Sequence, residues 1–103
     1  MNMVDFKKLQ REVYQNKINK NFNVTDIAME FCLLYEEVSE AYRAWRKKLP
    51  DLGEEIADVV IYLLGLSAIL GINLEEEVLK KIKKNEKRQY QKVKGALKRE
   101  KDA

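Results

Sequence analysis

The stretch that decides the fold is LLYEEVSEAYRAWRKKLPDLGEEIADVVIYLLGLSAIL, residues 33–70. Its first half places apolar residues at the three- and four-residue spacings of an amphipathic helix, and its second half contains a continuous apolar run over residues 59–70. Pro50 separates the two halves because proline interrupts a helix. Two helices joined by a short connection pack as antiparallel neighbours, so the stretch predicts a helical hairpin.

Further helices are predicted on both sides of this hairpin. We expect helix 1 over about residues 5–20, helix 2 over 26–47, helix 3 over 52–70, and helix 4 from about 74 to residue 90 or beyond. Asp51 and Asn73, each followed by a glutamate three residues later, are predicted to cap helices 3 and 4. The core-facing stripe expected on helix 2 comprises Ile27, Phe31, Leu34, Val38, Ala41 and Trp45.

The fold class predicted from these segments is all-α, a four-helix antiparallel bundle in a single domain over residues 1–103. A basic tail over about residues 91–103 is expected to fray. Helix 3 is apolar on all sides from residue 59 to 70, and such a helix is largely buried. Four helices of this length do not easily enclose it, so we expect part of it in a subunit interface and the chain to be a homo-oligomer.

The composition excludes several kinds of site. The sequence has no histidine and one cysteine, Cys32. Catalytic sites that use a Ser-His or Cys-His pair, zinc sites that use histidine, cysteine metal clusters and intrachain disulfides are therefore excluded. The remaining resource for catalysis is a hard cation such as Mg²⁺ held by carboxylates.

The charge is unevenly distributed. Residues 1–79 carry 9 Lys and Arg against 14 Asp and Glu, whereas residues 80–103 carry 11 against 3. An acidic body with a basic end fits either a metal site with an anion clamp or an arm that binds nucleic acid. The sequence shows no signal peptide and no apolar run long enough to span a bilayer, so we expect a cytoplasmic protein without a membrane partner.

Two acidic pairs share one spacing. Glu37 and Glu40 are three residues apart on helix 2, and Glu55 and Asp58 are three residues apart on helix 3. This spacing puts both members of a pair on one helix face, so four carboxylates can converge between the two helices. Oxygen ligation without nitrogen or sulfur favours Mg²⁺, with Mn²⁺ as a substitute. The competing interpretation is that these acids occupy solvated helix positions.

The acidic pattern resembles a known family. Glu36-Glu37-Val38-Ser39-Glu40, a 14-residue spacer and Glu55-Ile56-Ala57-Asp58 match the EExxE…ExxD pattern of the MazG-like all-α nucleotide pyrophosphohydrolases. The resemblance covers about residues 31–88 and includes the flanks LLYEEVSEAYRAW and EEIADVVIYLLGLSAILGINLEEEVLKKIKKNEKR. It implies Mg²⁺-dependent hydrolysis of (deoxy)nucleoside triphosphates between the α and β phosphates, giving a monophosphate and pyrophosphate and clearing non-canonical or surplus nucleotides.

The resemblance also assigns roles to individual residues. Glu37, Glu40, Glu55 and Asp58 would hold the metal, while Glu36 would orient water or support a ligand. A spare carboxylate, Glu37 or Glu40, would accept the proton of the attacking water. Relatives of this kind assemble as dimers or tetramers.

On helix 4, the resemblance implies that Lys81, Asn85 and Arg88 contact the nucleotide and its phosphates. Their spacing of four and three residues places them on one stripe of the helix, and cations opposite a metal suit a triphosphate. The alternative function is a non-enzymatic helical module that uses its basic tail on nucleic acid. A purely structural helical oligomer is a third interpretation, and it would tolerate Glu37→Gln.

Overall fold

The protein is built from four helices followed by a short hairpin. The computed structural model describes residues 3–88, 90–93 and 96–99, the last two ranges by their backbone alone. The helices are α1 (Phe6–Asn19), α2 (Ile27–Arg46), α3 (Leu52–Ile69) and α4 (Leu74–Lys87). The predicted all-α, four-helix body is confirmed, and α1, α2 and α3 begin and end within about one residue of their expected bounds.

Side-chain caps begin three of the helices. Asp5, Asp26 and Asn73 each accept a hydrogen bond from the backbone N–H three residues later, at 3.0–3.2 Å. Asp51 makes no such bond, so the predicted capping box of α3 is wrong. The reason is conformational: Asp51 has φ −94° and ψ 14°, not the extended backbone that lets a capping side chain fold back onto the first turn.

The first three helices end in the same way. Asn21, Lys48 and Gly71 have φ of 55°, 55° and 69°, in the left-handed region. In each case the next residue donates its N–H to a carbonyl five positions earlier, at 2.8–2.9 Å, which satisfies an otherwise orphaned acceptor. Gly71 adopts this conformation without the steric cost that a side chain would impose. These endings set the direction in which the chain leaves each helix.

Helix α3 is the centre of the packing. α2 and α1 both pack along α3, and α4 packs chiefly on α1. The chain direction turns by 111° between α3 and α4, so the prediction that these two helices are antiparallel is wrong. Gln10 of α1 links the end of α3 to the connection before α4, because its Nε2 donates to Ser67 Oγ at 2.7 Å and to the carbonyl of Ile72 at 2.9 Å.

Burial of α3 is confined to one turn. Leu64, Gly65, Leu66 and Ser67 are buried, whereas large apolar side chains on either side of this turn are exposed. The prediction that helix 3 is largely buried is therefore wrong for the single chain. In the described part of the chain no single helix is long and apolar enough to cross a membrane, and α3 and α4 meet that test only as one bent pair.

The apolar stripe of α2 faces outward. Phe31, Val38 and Trp45, which the sequence assigned to the core, are 41%, 49% and 64% exposed. The inward face instead carries Glu30 and Ala44, both buried. The hydrophobic periodicity identified the helix correctly, but it could not tell which partner the apolar face contacts. In the single chain the described residues cover that face only in part.

The C-terminal end differs from the predicted fraying helix. α4 ends at Lys87, and an antiparallel hairpin follows, with strands β1 (Tyr90–Val93) and β2 (Ala96–Arg99). Val93 pairs with Ala96, the innermost pair of the hairpin. The predicted basic tail over about 91–103 is thus a hairpin where it is described. Residues 94–95 and 100–103 lie outside the described residues.

Candidate metal centre

Three carboxylates meet between α2 and α3. One carboxylate oxygen each of Glu37, Glu55 and Asp58 lies within 4.8 Å of the other two. Glu37 comes from the face of α2 that packs on α3, while Glu55 and Asp58 occupy one face of α3, one turn apart. The spacing predicted from the sequence therefore brings members of both acidic pairs to one place.

The cluster is electrostatically unfavourable without a cation. Partial burial raises the pKa of Glu37, and the charges of Glu40, Asp58, Glu55 and Glu36 raise it further. Glu55 behaves in the same way: desolvation raises its pKa first, and Glu40 is its strongest charged neighbour. Like charges held this close disfavour ionisation of one another. The charges that act most strongly on both groups are all negative.

A divalent cation fits this donor set. Oε2 of Glu55 is buried and accepts no hydrogen bond from any described residue. Such an orphaned carboxylate oxygen costs free energy unless a ligand satisfies it. The donors are all carboxylate oxygens, the ligands that Mg²⁺ and Mn²⁺ prefer. Glu37, Glu55 and Asp58 are therefore the residues that would hold the metal.

The other two predicted acids lie beside this group. Glu40 is exposed and outside the three-carboxylate cluster, yet it is the strongest charged neighbour of both Glu37 and Glu55. Glu36 is exposed and contributes the weakest of the charges that act on Glu37. Both carboxylates are thus close enough to complete a larger site, with Glu40 the nearer in electrostatic effect.

The predicted phosphate-binding residues lie on α4 and just after it, whereas the cluster lies between α2 and α3. Lys81 and Asn85 are exposed on α4, and Arg88 is half-buried just after the end of that helix. Arg88 Nη1 donates to Asn85 Oδ1 at 2.8 Å, so these two side chains form one unit. Because α4 packs chiefly on α1, the structure of the single chain does not bring this stripe into the three-carboxylate cluster.

Sequence reasoning missed an ion pair next to the cluster. Lys17 of α1 donates to Oε1 of Glu30 on α2, and both side chains are buried. The Lys17 ammonium also lies 5.3 Å from the centre of the Tyr62 ring. Burial raises the pKa of the Tyr62 hydroxyl, and Glu37 and Glu30 raise it further.

Helical spacing contained a signal for this pair. Lys17 follows Val13 by four residues, on the face of α1 that packs against α3, and Glu30 lies seven residues before Glu37 on the same face of α2. Gly65 makes room for the lysine, since an added Cβ would lie 3.0 Å from Lys17 Cε. A lysine on a helix face that also carries apolar residues usually points to solvent, so the sequence alone does not predict that Lys17 is buried.

Comparison with known proteins supports the same interpretation of the fold. No curated protein matches the chain. Among solved structures, it is similar to one described as the cyanophage S-2L MazG-like pyrophosphohydrolase bound to dGDP and three catalytic Mn²⁺ ions per active site. The match has a TM-score of 0.76 and 24% identity, and it covers 96% of this chain and 100% of that one.

A sequence model of the MazG-like family matches residues 28–102, which is most of the chain. The match includes both acidic pairs and the α4 stripe. With its four helices, its paired carboxylates and the fold of a MazG-like pyrophosphohydrolase, the chain belongs to the MazG-like family.

Proposed function

We propose that the protein hydrolyses (deoxy)nucleoside triphosphates between the α and β phosphates, releasing a nucleoside monophosphate and pyrophosphate in a reaction that requires Mg²⁺ or Mn²⁺. The observation that carries this proposal is the convergence of Glu37, Glu55 and Asp58 within 4.8 Å. Family membership and the dGDP and Mn²⁺ ions of the similar structure support the same substrate and metal classes.

The chain's own residues divide the work between them. Glu37, Glu55 and Asp58 hold the cation, which when bound polarises phosphoryl oxygens and lowers the pKa of a coordinated water. Glu37 or Glu40 accepts the proton of the attacking water. Glu36 orients that water. The three ions per active site of the similar structure support a larger ligand set, which Glu40 would join.

Lys81, Asn85 and Arg88 bind the phosphates in this proposal. Arg88 and Lys81 offer the positive charge that a triphosphate and its leaving pyrophosphate need. The hydrogen bond between Arg88 and Asn85 fixes the guanidinium in a defined orientation. Their position on α4 fits a site that is completed when helices of two chains come together.

A homo-oligomer is part of the proposal. The exposed apolar residues of α2 follow alternating spacings of four and three, the pattern of a helix seam that packs on another helix: they are Phe31, Tyr35, Val38, Tyr42 and Trp45. Ile56, Val60 and Leu63 continue the exposed apolar surface on α3. A second copy of the chain would cover both helices, giving a dimer or a tetramer.

The activity is tested with purified protein and a panel of canonical and modified (d)NTPs in Mg²⁺ or Mn²⁺. We expect monophosphate and pyrophosphate as products. Asp58→Asn should lower kcat/KM on the order of 10²–10³-fold, the scale seen when one group that stabilises the transition state is removed. Glu54→Gln is the matched control, since Glu54 is exposed on the same helix and outside the cluster.

Each outcome of this assay is decisive. No turnover of any triphosphate, or full activity in Asp58→Asn, would reject the proposed function. Diphosphate and orthophosphate as products would reject cleavage between the α and β phosphates while keeping a hydrolase. Equal losses in Asp58→Asn and Glu54→Gln would show that the cluster has no special role.

A further inference from the structure

A cavity of about 240 Å³ opens beside the carboxylate cluster, bounded by α1, the connection that follows it, α2 and α3. Its lining is mainly apolar and aromatic, with three polar or charged residues: it comprises Phe22, Met29, Leu33 and Tyr62 together with Lys17, Asn23 and Glu30. Apolar walls with a few placed polar groups are typical of pockets for small organic ligands.

The cavity is placed to receive one end of a nucleotide whose phosphates lie at the cluster. Glu30 precedes Glu37 by seven residues, which is two turns and about 10 Å along the same face of α2. Tyr62 follows Asp58 by one turn on α3. A nucleotide whose phosphates lie at the carboxylates therefore spans the distance that brings its base to the cavity. This step rests on the proposed function.

Glu30 has an unsatisfied hydrogen-bonding atom. The residue is 1% exposed, and its Oε1 accepts from Lys17. Its Oε2 is buried and accepts no hydrogen bond within the part of the chain that the structure describes. A buried carboxylate oxygen without a donor is costly, and a ligand N–H would remove that cost.

Lys17 can act beside it as a donor. An ammonium carries three N–H groups, and among the described residues Lys17 Nζ donates a hydrogen bond to Glu30. The ion pair therefore presents an acceptor and a donor side by side at the wall of the cavity. An edge that matches it carries an N–H next to an acceptor.

We propose that Glu30 and Lys17 determine base specificity by binding a lactam edge, the ring N–H beside a carbonyl that guanine, hypoxanthine, uracil and thymine share. Oε2 of Glu30 accepts the ring N–H, and the Lys17 ammonium donates to the carbonyl oxygen. Adenine and cytosine instead present an amino group beside an unprotonated ring nitrogen. In the same orientation, that edge places an acceptor, the ring nitrogen, against Oε2 of Glu30 and a donor, the amino group, against the Lys17 ammonium, so both hydrogen bonds are lost.

Wild-type protein tests the proposal with matched substrates. dITP presents a lactam at this edge, whereas dATP presents an amino group beside an unprotonated ring nitrogen. N1-methyl-dGTP lacks the ring N–H that dGTP has. We expect kcat/KM to be at least about 10²-fold higher for dITP than for dATP, since a site built to hydrogen-bond a group rejects analogues that lack it. We expect N1-methylation to lower kcat/KM at least tenfold. Equal values within either pair would overturn the proposal.

A variant separates recognition from a merely structural role. Glu30→Gln should narrow the dITP to dATP ratio at least tenfold, while Glu12→Gln, an exposed glutamate on α1, should leave the ratio unchanged. An equal loss on both substrates in folded Glu30→Gln would overturn the proposal. If Glu30→Gln does not fold, the wild-type comparisons still decide. Absence of turnover with every triphosphate would reject the proposed function, and this inference with it.

Discussion

Two glutamates on one face of α2 have opposite environments. Glu30 is almost fully buried and is neutralised by Lys17, a cation that the chain itself supplies. Glu37, two turns later, is half-buried, and the charges that act most strongly on it are carboxylates. Both are acidic residues on the inward face of a helix, yet the fold compensates one and leaves the other with like charges around it.

The difference separates a built-in ion pair from a site that needs a ligand. An oppositely charged partner offsets the desolvation of a buried charge, as Lys17 does for Glu30. A group of carboxylates without such a partner is typical of a functional site, and here its donors fit a divalent cation. Removing the cation of the ion pair should therefore destabilise the protein, whereas adding a cation at the carboxylate cluster should stabilise it.

The largest expected effect on stability comes from removing the cation of the ion pair. Lys17→Met should lower the free energy of unfolding by about 3–5 kcal/mol, because it leaves a buried charge without its partner. Glu37→Gln in metal-free protein should leave stability unchanged or raise it, because it removes repulsion. Urea titration followed by circular dichroism measures both.

The double variant Lys17→Met with Glu30→Gln is the control. It removes both charges together and should recover part of the loss of Lys17→Met. A Lys17→Met protein as stable as wild type would show that the pair contributes nothing, and the contrast with Glu37 would then disappear.

Adding a divalent cation should stabilise the folded protein through the carboxylate cluster. Mn²⁺ or Mg²⁺ at about 100 times its dissociation constant should raise the free energy of unfolding by about 2.7 kcal/mol, because it binds the folded state. Differential scanning calorimetry would record this as a higher Tm. The shift should be lost in Asp58→Asn and kept in Glu54→Gln. An equal shift in all three proteins would mean that the metal binds elsewhere.

A smaller effect is expected where α3 makes room for the lysine. Gly65→Ala should lower the free energy of unfolding by about 1–3 kcal/mol, because the new Cβ would lie 3.0 Å from Lys17 Cε and 3.2 Å from Val13 Cγ1. Gly53→Ala in the first turn of α3 meets nothing within 4 Å and should be neutral or stabilising by up to about 1 kcal/mol. Thermal unfolding of the two variants measures the contrast, and equal effects would contradict it.

The smallest effect concerns pH in metal-free protein. The pKa values of Glu37 and Glu55 are raised above the 4.5 of the free side chain. Between the unfolded and the folded pKa the folded state binds more protons, so the contribution of these groups to stability falls as pH rises through that window. Below the unfolded pKa this destabilising contribution is absent.

Comparing wild type with Glu37→Gln separates the pH dependence due to Glu37 from that of the other acidic residues. As the pH is raised from about 4, the free energy of unfolding of Glu37→Gln should increase relative to that of wild type. Saturating Mn²⁺ should abolish this trend, since the cation stabilises the ionised carboxylates. A difference that shrinks with rising pH would contradict the cause assigned to the raised pKa values.

Local signals were the most predictable part of this protein. The bounds of α1, α2 and α3 and the Asn73 cap follow from residues a few positions apart, so they could be predicted without the fold. The paired spacing of Glu55 and Asp58 is equally local, and the family resemblance that it supports is confirmed. Most errors concern which partner a helix face contacts, as on α2, whose apolar stripe is largely exposed in the single chain. The Asp51 cap is a local exception.

The sequence by itself determined four helices, an acidic set without histidine or cysteine ligands, and membership of the MazG-like family. Those features depend on periodicity and composition, which are properties of neighbouring residues. Only the tertiary structure decided that Glu40 lies outside the group formed by Glu37, Glu55 and Asp58, that α3 and α4 diverge by 111°, and that Lys17 neutralises Glu30. These are relations between helices, set by which faces bury each other, and no spacing within one helix encodes them.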